Sequence, residues 1–255
     1  MLLAIDIGNT TTTLGVFEGE ELKTTWHTAT VVRRTADEQA ILLLNLLRNQ
    51  DLDIGDINEV ALCSVVPPLT PVYEEMFQRH LNVSLLVVAA GIKTGVRICM
   101  DNPREVGADR IVDAAAAHHL YGGPVIIVDL GTATTFDTVS EKGEYIGGVI
   151  APGILTAAEA MFQQAAMLPH VELARPNRVI GTNTIDAMKS GIVFGYVALV
   201  EGMVARIQRE LGIKTRVIAT GGYAELIARE ANIIDEVNPH LTLIGLRLIY
   251  KMNRE

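Results

Sequence analysis

Apolar residues along the chain fall into short runs whose spacing alternates between that of strands and that of helices. Two strand-like runs, Leu2–Ile5 and Leu14–Phe17, flank a polar turn near the start of the sequence, and a third strand is predicted over residues 21–27. The capping-box pattern Thr-x-x-Glu then predicts a helix over residues 35–49. The chain therefore opens with three consecutive strands followed by a helix.

Strands and helices alternate through the rest of the first half. A strand is predicted over residues 60–66, and a Thr-Pro helix start then predicts a helix from residue 70 to about Leu81. Residues 84–88 are β-branched and apolar, so we expect a buried strand there. Three strands followed by alternating helix and strand are typical of a ribonuclease-H-like α/β domain.

The second half repeats this plan. A chain of 255 residues has the length for two domains, so we expect two duplicated ribonuclease-H-like domains, 1–118 and 119–255, each a mixed sheet flanked by helices. The predicted elements of the second are strands over residues 125–128, 136–139, 144–150 and 215–219, and helices from about residue 154, over 184–211, up to 229 and over 239–252.

A turn of one composition joins the first two strands of each half. Residues 6–11 and 129–135 both begin with an aspartate at a strand end, place a glycine two positions later and continue with threonines. Glycine lets the backbone approach a ligand closely, and turn N–H groups and hydroxyls can surround a phosphate oxygen. The carboxylate can hold a metal ion, directly or through water. Two tight β-hairpins explain a single copy equally well, but two copies in matching context favour nucleotide phosphates.

Composition and charge narrow the setting. The formal net charge of −9 argues against sequence-independent attraction to nucleic acid, which needs clustered lysine and arginine. The two cysteines, Cys63 and Cys99, match no metal-ligand spacing and favour a reduced, cytoplasmic protein. We expect no signal peptide and no membrane-spanning run, and hence no membrane partner.

A second chemical signal lies between the two halves. Asn102-Pro103 predicts a helix start, and Gly107-Ala108-Asp109-Arg110 then falls within the first turns of an alanine-rich helix that Gly122 ends. A glycine in a helix costs up to about 1 kcal/mol relative to alanine, so we expect Gly107 to allow close approach of a ligand. The alternative is that Asp109 and Arg110 are surface charges at an ordinary helix start.

Glycine-rich turns in the second half are further candidates. Gly221 and Gly222, between a strand and a helix, suit close approach to a nucleoside, although a tight turn explains them almost as well. Asn183 or Thr184 begins the long helix and either caps it or binds a substrate carboxylate or amide.

The motifs together resemble those of the type III pantothenate kinase family. Residues 6–10, 107–110, 129–132 and 181–187 stand in the order and spacing of that family, over essentially the whole chain, and Gly-Ala-Asp-Arg is the most discriminating element. The family belongs to the superfamily of acetate kinases, sugar kinases, heat-shock chaperones and actin, whose two duplicated domains enclose ATP. The resemblance implies ATP-dependent phosphorylation of pantothenate, the first step of coenzyme A synthesis.

The resemblance also implies roles for individual residues. Asp109 is the proton acceptor, and Asp129 binds a monovalent cation, K⁺ or NH₄⁺. One position departs from the family: many members have tyrosine where this chain has Met100, which removes a hydroxyl contact to substrate. The residues implied to contact ATP phosphates are Asp6, Ile7, Gly8, Asn9, Thr10, Thr11, Thr12, Thr13 and Thr132, and those implied at the pantothenate site are Met100, Gly107, Ala108, Asp109, Arg110 and Thr184.

Phosphoryl transfer is coherent with the residues themselves. The sequence has no P-loop and no protein-kinase catalytic loop, so the hairpin turns must hold the phosphates. Asp6 is the candidate for the Mg²⁺ shell and Asp109 for the base. Two alternatives stay open: a kinase for another small hydroxylated metabolite, and a non-catalytic accessory transcription regulator related to this family.

The long helix predicts a homodimer. Its small residues Gly191, Gly195, Ala198 and Gly202 recur at spacings of four, three and four, and apolar residues run alongside them. Such a stripe lets a second helix approach closely, although packing on the protein's own sheet explains part of the pattern.

Overall fold

The computed structural model describes residues 1–80, 83–165 and 168–254. Every strand and helix predicted above is present, with ends shifted by a few residues. The elements in chain order are β1 (Leu2–Ile7), β2 (Thr11–Glu18), β3 (Glu21–Ala29), α1 (Ala36–Arg48), β4 (Glu59–Ser64), α2 (Thr70–His80), β5 (Leu85–Val87), β6 (Arg97–Ile98), α3 (Ala108–Tyr121), β7 (Val125–Leu130), β8 (Ala133–Val139), β9 (Glu144–Pro152), α4 (Ile154–Gln164), α5 (Thr184–Leu211), β10 (Arg216–Thr220), α6 (Ala224–Ala228), β11 (Glu236–Val237) and α7 (Leu241–Arg254).

The chain divides into two compact units. The first comprises Met1–Arg97, Asp101–Ala116 and the chain from Thr242 onwards, and the second comprises Ile98–Met100 and Ala117–Leu241. The segment from Thr242 belongs to the first unit because the apolar face of α7 is buried in the core of that unit. The domain bounds expected from the sequence, 1–118 and 119–255, stay a prediction.

A five-stranded sheet forms the first unit, in the order β3-β2-β1-β4-β5. β1 is antiparallel to β2 and parallel to β4, as a hairpin followed by a helical crossover requires. Leu3, Ile5 and Ile7 point into a core covered by α1 and α2. Leu2 and Ala4 point to the opposite core, which contains residues of α3 and α7. Because side chains alternate along a strand, Asp6 lies on the α3 face.

The second unit repeats the strand order of the first. Its sheet runs β11-β10-β7-β8-β9-β6, so that β9, β8, β7, β10 and β11 take the places of β3, β2, β1, β4 and β5. The core contains Ile126, Val128 and Leu130 of β7 together with the buried face of α5. The two mixed sheets flanked by helices confirm the predicted fold class.

Three local features differ from the predictions. The third helix begins at Ala108 rather than near Asn102, because Pro103–Glu105 form only a 3-10 turn and Val106 after it is extended. β5 is half-buried rather than buried, since it is the edge strand of its sheet. The two-residue strand β6 was not predicted. Leu81, where the second helix was expected to end, lies outside the described residues.

In the described part of the chain, α5 alone is long and apolar enough to cross a membrane by length and composition. A core helix passes the same test, and residues such as Val200 and Val204 on its inner face are fully buried in the core of the second sheet. The composition of α5 is therefore weak evidence for a membrane span.

Candidate active site

Asp6 lies near the carboxyl end of β1, beside the corresponding end of the neighbouring strand β4. The parallel pairing of the two strands places Cys63 beside Asp6. The Cys63 thiol donates a hydrogen bond to Asp6 Oδ1 at 3.2 Å. Cys63 itself is fully buried, so this thiol is a fixed part of the wall behind the carboxylate.

Burial controls the protonation of Asp6. Desolvation raises the pKa of Asp6 from 3.8 to about 7, the hydrogen bond from Cys63 opposes the shift, and the nearby charge of Asp109 adds to it. A carboxyl group with this pKa is partly protonated at neutral pH. A cation bound beside it would favour the charged form, so the surroundings of Asp6 suit a positively charged ligand.

The turn after Asp6 exposes some of its polar side chains and buries others. The N–H of Gly8 donates to the carbonyl of Thr11 at 3.1 Å, which closes the turn. Asn9, Thr10 and Thr11 are exposed at its tip. Thr12 is buried, and its hydroxyl shares a 2.9 Å hydrogen bond with that of Thr30. The tip of the hairpin is therefore the most exposed part of the predicted stretch, and the contact of residues 6–13 with phosphates stays a prediction.

Asp109 is the second residue of α3, and Gly107 makes room for its carboxylate. A Cβ at Gly107 would lie 2.5 Å from Asp109 Oδ1, closer than any side chain tolerates. The N–H of Arg110 donates to the same oxygen at 2.8 Å. Gly107 precedes the helix rather than lying within it, so its physical role is to let Asp109 fold back over the helix start.

Asp113 was missed by the sequence analysis. It follows Asp109 by one helical turn and is 4% exposed. Burial raises the pKa of the Cys63 thiol well above its usual value, and the charges of Asp6, Asp109 and Asp113 raise it further. The first unit therefore brings three carboxylates around one buried thiol. Asp113 could have been found from its spacing of four residues from Asp109, because residues at that spacing share a helical face.

Asp129 occupies the corresponding position in the second unit. Asp129 is the next-to-last residue of β7, and its neighbours on the adjacent strands are Thr135 of β8 and Thr220 of β10. Gly221 has a φ of +91°, and a Cβ there would lie 2.3 Å from Asp129 Oδ1 and 2.7 Å from the Leu130 backbone. No other residue fits this position, so the strand–glycine turn packs directly against the carboxylate of Asp129.

The turn after Asp129 is enclosed by the start of α4. A Cβ at Gly153 would lie 2.3 Å from the carbonyl oxygen of Thr132, and the Thr156 hydroxyl donates to that oxygen at 2.9 Å. Thr132 is exposed. Gly153 caps α4 without a side-chain hydrogen bond, so the first N–H groups of the helix are available to an anion at this turn.

The remaining predicted residues are distributed over the second unit. Met100 is half-buried against β9, with its sulfur 3.4 Å from where a Cβ of Gly147 would be. Thr184 is exposed in the first turn of α5, and Asn183 caps that helix by accepting the N–H of Asp186 at 2.9 Å. A Cβ placed at Gly222 would have no neighbouring atom within 4 Å, in contrast to one placed at Gly221.

The donor atoms of the first unit suit Mg²⁺ that is bound largely by phosphate and water. Within residues 1–80, 83–165 and 168–254, no three His, Cys, Asp or Glu side chains are grouped so as to hold a metal ion. Mg²⁺ typically takes one or two carboxylates together with substrate phosphates and several waters. Asp6, whose raised pKa marks an uncompensated buried carboxylate, fits that partial role.

Two units with one strand order, each with an Asp-x-Gly turn at the end of its first strand, define the fold of actin-like ATPases and sugar kinases. A ROK hexokinase from Thermus thermophilus is similar over 100% of this chain and 99% of its own, with a TM-score of 0.54 and 14% identity. A Baf family protein from Campylobacter jejuni, a proposed transcriptional activator, is similar over 99% and 98%, with a TM-score of 0.61 and 20% identity. At these identities the likeness shows the fold alone.

Sequence similarity then identifies the family. The model of the family "Type III pantothenate kinase" matches residues 2–206. A type III pantothenate kinase from Dehalococcoides mccartyi (strain CBDB1) is 59% identical over 253 residues, which are 99% of this chain and 96% of the relative. This chain belongs to the type III pantothenate kinase family. The resemblance inferred from the motifs is therefore confirmed.

Proposed function

We propose that this chain transfers the γ-phosphoryl group of ATP to the primary hydroxyl of pantothenate, giving 4′-phosphopantothenate and ADP as the first step of coenzyme A synthesis. Membership of the family supports the reaction. The observation in the structure that supports it most is that Asp109 and Asp6 lie in one unit, near enough for the charge of Asp109 to raise the pKa of Asp6.

Asp109 is the proposed general base. As the pantothenate oxygen bonds to the γ-phosphorus and the bond to the ADP oxygen breaks, the hydroxyl proton passes to the Asp109 carboxylate. Gly107 permits this position of Asp109, because a side chain there would require the Asp109 carboxylate to move away. The residues proposed to contact pantothenate are Gly107, Ala108 and Arg110 in the first unit and Met100 and Thr184 in the second.

The exposed tips of the two acidic turns are the proposed phosphate-binding elements. Thr10 and Thr11 of the first turn and Thr132 of the second are exposed threonines at the positions where phosphate binding is proposed. The uncapped start of α4 adds N–H donors with a favourable helix dipole. Gly221 and Gly222 leave room for close approach of the nucleoside.

Asp6 is the proposed protein group for Mg²⁺, directly or through water. The bound ion would neutralise charge on the β- and γ-phosphates. The raised pKa of Asp6 supports this assignment, since a neighbouring cation offsets the desolvation that burial imposes on the carboxylate.

We propose K⁺ or NH₄⁺ for Asp129. Asp6 can serve the divalent ion, which leaves the second aspartate for a larger cation with oxygen ligands. The backbone of Gly221 packs close to the Asp129 carboxylate, so an ion bound there would lie beside the strand–glycine turn. Equal rates in Na⁺ and K⁺ buffers of one ionic strength would count against this assignment.

A homodimer through α5 is the proposed assembly. Gly191, Gly195, Ala198 and Gly202 are all exposed, and no atom lies within 4 Å of a Cβ placed at any of the three glycines. The opposite face of the helix is buried in its own core. A flat, exposed stripe of this kind allows two copies of α5 to approach closely. Sedimentation that shows a fully active monomer at micromolar concentration would contradict the dimer.

A cytoplasmic location without nucleic-acid or membrane partners completes the proposal. Cys63 and Cys99 are both free thiols, as expected in a reducing compartment, and the net charge is −9. The decisive experiment is a coupled assay of ADP release with and without pantothenate, together with a panel of other small hydroxylated metabolites. ATP turnover that depends on pantothenate supports the proposal. Preference for another acceptor, or DNA binding that survives loss of Asp109, would favour the alternatives.

A further inference from the structure

A cavity of about 340 Å³ lies in the first unit at the end of the sheet opposite to Asp6. It is bounded by the first residues of β1 and β4 and by the end of β2, whereas Asp6 lies at the carboxyl end of β1. The four residue steps from Leu2 to Asp6 separate the two places by about 13 Å along the strand. This cavity, called the α7 cavity below, is therefore distinct from the candidate active site.

A basic ridge of α7 forms one wall of the α7 cavity. Arg247, Lys251 and Arg254 follow one another at spacings of four and three, so they share one face of the helix. The two acidic residues that line the cavity are Glu18 and Glu59. The Glu18 carboxylate is already bonded to Lys23 at 3.0 Å. In a chain with a net charge of −9, this wall carries a local excess of positive charge.

Arg247 is the unusual member of the ridge because it is only 7% exposed. Its guanidinium lies 5.7 Å from the centre of the Phe17 ring. Among the described residues, its Nε has no hydrogen-bond partner although the atom is buried. A buried arginine with an unused N–H group is destabilising unless a further acceptor is supplied. Arg247 lines the α7 cavity, so an acceptor bound in the cavity would lie beside this guanidinium.

Glu20 marks the position that the acceptor would take. Its Oε1 accepts from Arg247 Nη1 at 3.2 Å and from Lys251 Nζ at 3.4 Å, so two cations converge on one oxygen atom. The Glu20 side chain is 81% exposed and lies on the hairpin turn between β2 and β3. An exposed carboxylate contributes little when it pairs with a cation, so an oxyanion with more charge can displace it.

We propose that the α7 cavity binds a phosphate group, of free phosphate or of a small phosphate monoester, in place of the Glu20 carboxylate. A phosphate dianion offers several acceptor oxygens to the planar guanidinium and to the ammonium, which a single carboxylate oxygen does not match. The volume of the cavity exceeds that of a phosphate, so it has space for the organic part of an ester. The ligand would join the hairpin turn of β2 and β3 to α7.

The test is calorimetric titration of the full chain with inorganic phosphate and, separately, with glycerol phosphate. Saturating ADP is present throughout, so that the nucleotide turns are occupied, and the ionic strength is fixed. Binding of either ligand is expected. Tighter binding of the ester assigns the cavity to an organic phosphate, whereas equal binding assigns it to free phosphate. Absence of binding by both overturns the proposal.

Two exposed variants make the assignment specific and avoid replacing buried Arg247. Lys251→Gln should weaken phosphate binding about tenfold through the loss of one charged contact. Glu20→Gln should tighten binding several-fold, because it removes the competing negative charge. The matched control is Arg79→Gln, which breaks an exposed pair with Glu75 on α2 in the same unit and should leave affinity unchanged. The proposal is refuted if Lys251→Gln binds phosphate as well as the unmodified chain, or if Glu20→Gln does not bind it more tightly.

Discussion

Replacing Asp109 by asparagine separates the roles of base and scaffold in the candidate active site. The substitution keeps the size of the side chain and an oxygen that can accept the Arg110 N–H, which donates to Asp109 at 2.8 Å. It removes the negative charge that would take the hydroxyl proton. Since Gly107 still leaves space for the side chain, the start of α3 should keep its conformation.

The expected loss in kcat is between about 10²-fold and 10⁴-fold, which is the usual contribution of a positioned general base. At about 1.4 kcal/mol for each factor of ten, this corresponds to about 3 to 5 kcal/mol in the activation barrier. The lower end is expected if the transition state is loose, because proton transfer then occurs late. The affinity for ATP should change little. Loss of the Asp109 charge lowers the pKa of Asp6, and this favours the ionised carboxylate, which is the form that binds a cation.

The assay is kcat with pantothenate together with calorimetric ATP affinity on one sample of the variant. Asp37→Asn is the matched control, because Asp37 is also the second residue of a helix that begins with alanine, and it lies on the surface of α1. Wild-type kcat in the Asp109→Asn variant would refute the assignment and make Asp109 an ordinary helix-start carboxylate. An inactive variant that also fails to bind ATP would show that the residue is structural.

Three further substitutions test the structure. Asp6→Asn should abolish activity yet raise the melting temperature at pH 8. The pKa of Asp6 in the folded state, about 7, lies above the unfolded value of 3.8, so ionised Asp6 destabilises the fold increasingly from pH 4 to pH 7. Equal pH profiles of stability for the variant and the unmodified chain would exclude this. Gly221→Ala should remove activity, because its Cβ would lie 2.3 Å from Asp129 Oδ1, and unchanged kinetics would contradict the packing. Gly245→Ala should destabilise the first unit by about 1–3 kcal/mol, measured by urea unfolding, since its Cβ would lie 2.3 Å from the Val112 carbonyl oxygen between α3 and α7.

The fold could be predicted from the sequence because its signals are local. The continuous apolar run of β1 and the capping box at Thr35 each depend on a few neighbouring residues, and the structure contains both hydrogen bonds of that box. Repetition of one strand plan in the two halves made the duplicated fold class predictable as well. The position of α7 was not predictable in this way, because its apolar residues fit either core and only the assembled sheets decide between them.

The neighbours of the candidate catalytic residues could not be predicted with the same success. Cys63 contacts Asp6 across 57 positions of sequence, and only the parallel register of β1 and β4 brings the two together. The space that Gly107 leaves for Asp109 likewise depends on backbone geometry at the helix start. The motif residues could be recognised in the sequence, but the contacts that set the pKa of Asp6 could not.

The two acidic turns share one backbone plan but give their aspartates different surroundings. Each aspartate ends the first strand of its sheet and has one neighbour on the adjacent parallel strand, Cys63 beside Asp6 and Thr220 beside Asp129. A thiol is a weak donor, so its hydrogen bond offsets only part of the desolvation of Asp6, and the pKa of Asp6 is about 7 without a bound cation. At Asp129, the backbone of Gly221 packs close to the carboxylate, since a Cβ there would lie 2.3 Å from Oδ1. The repeat therefore gives the two carboxylates equivalent positions on their strands but different neighbours, and the proposal that each aspartate serves a different ion builds on that difference.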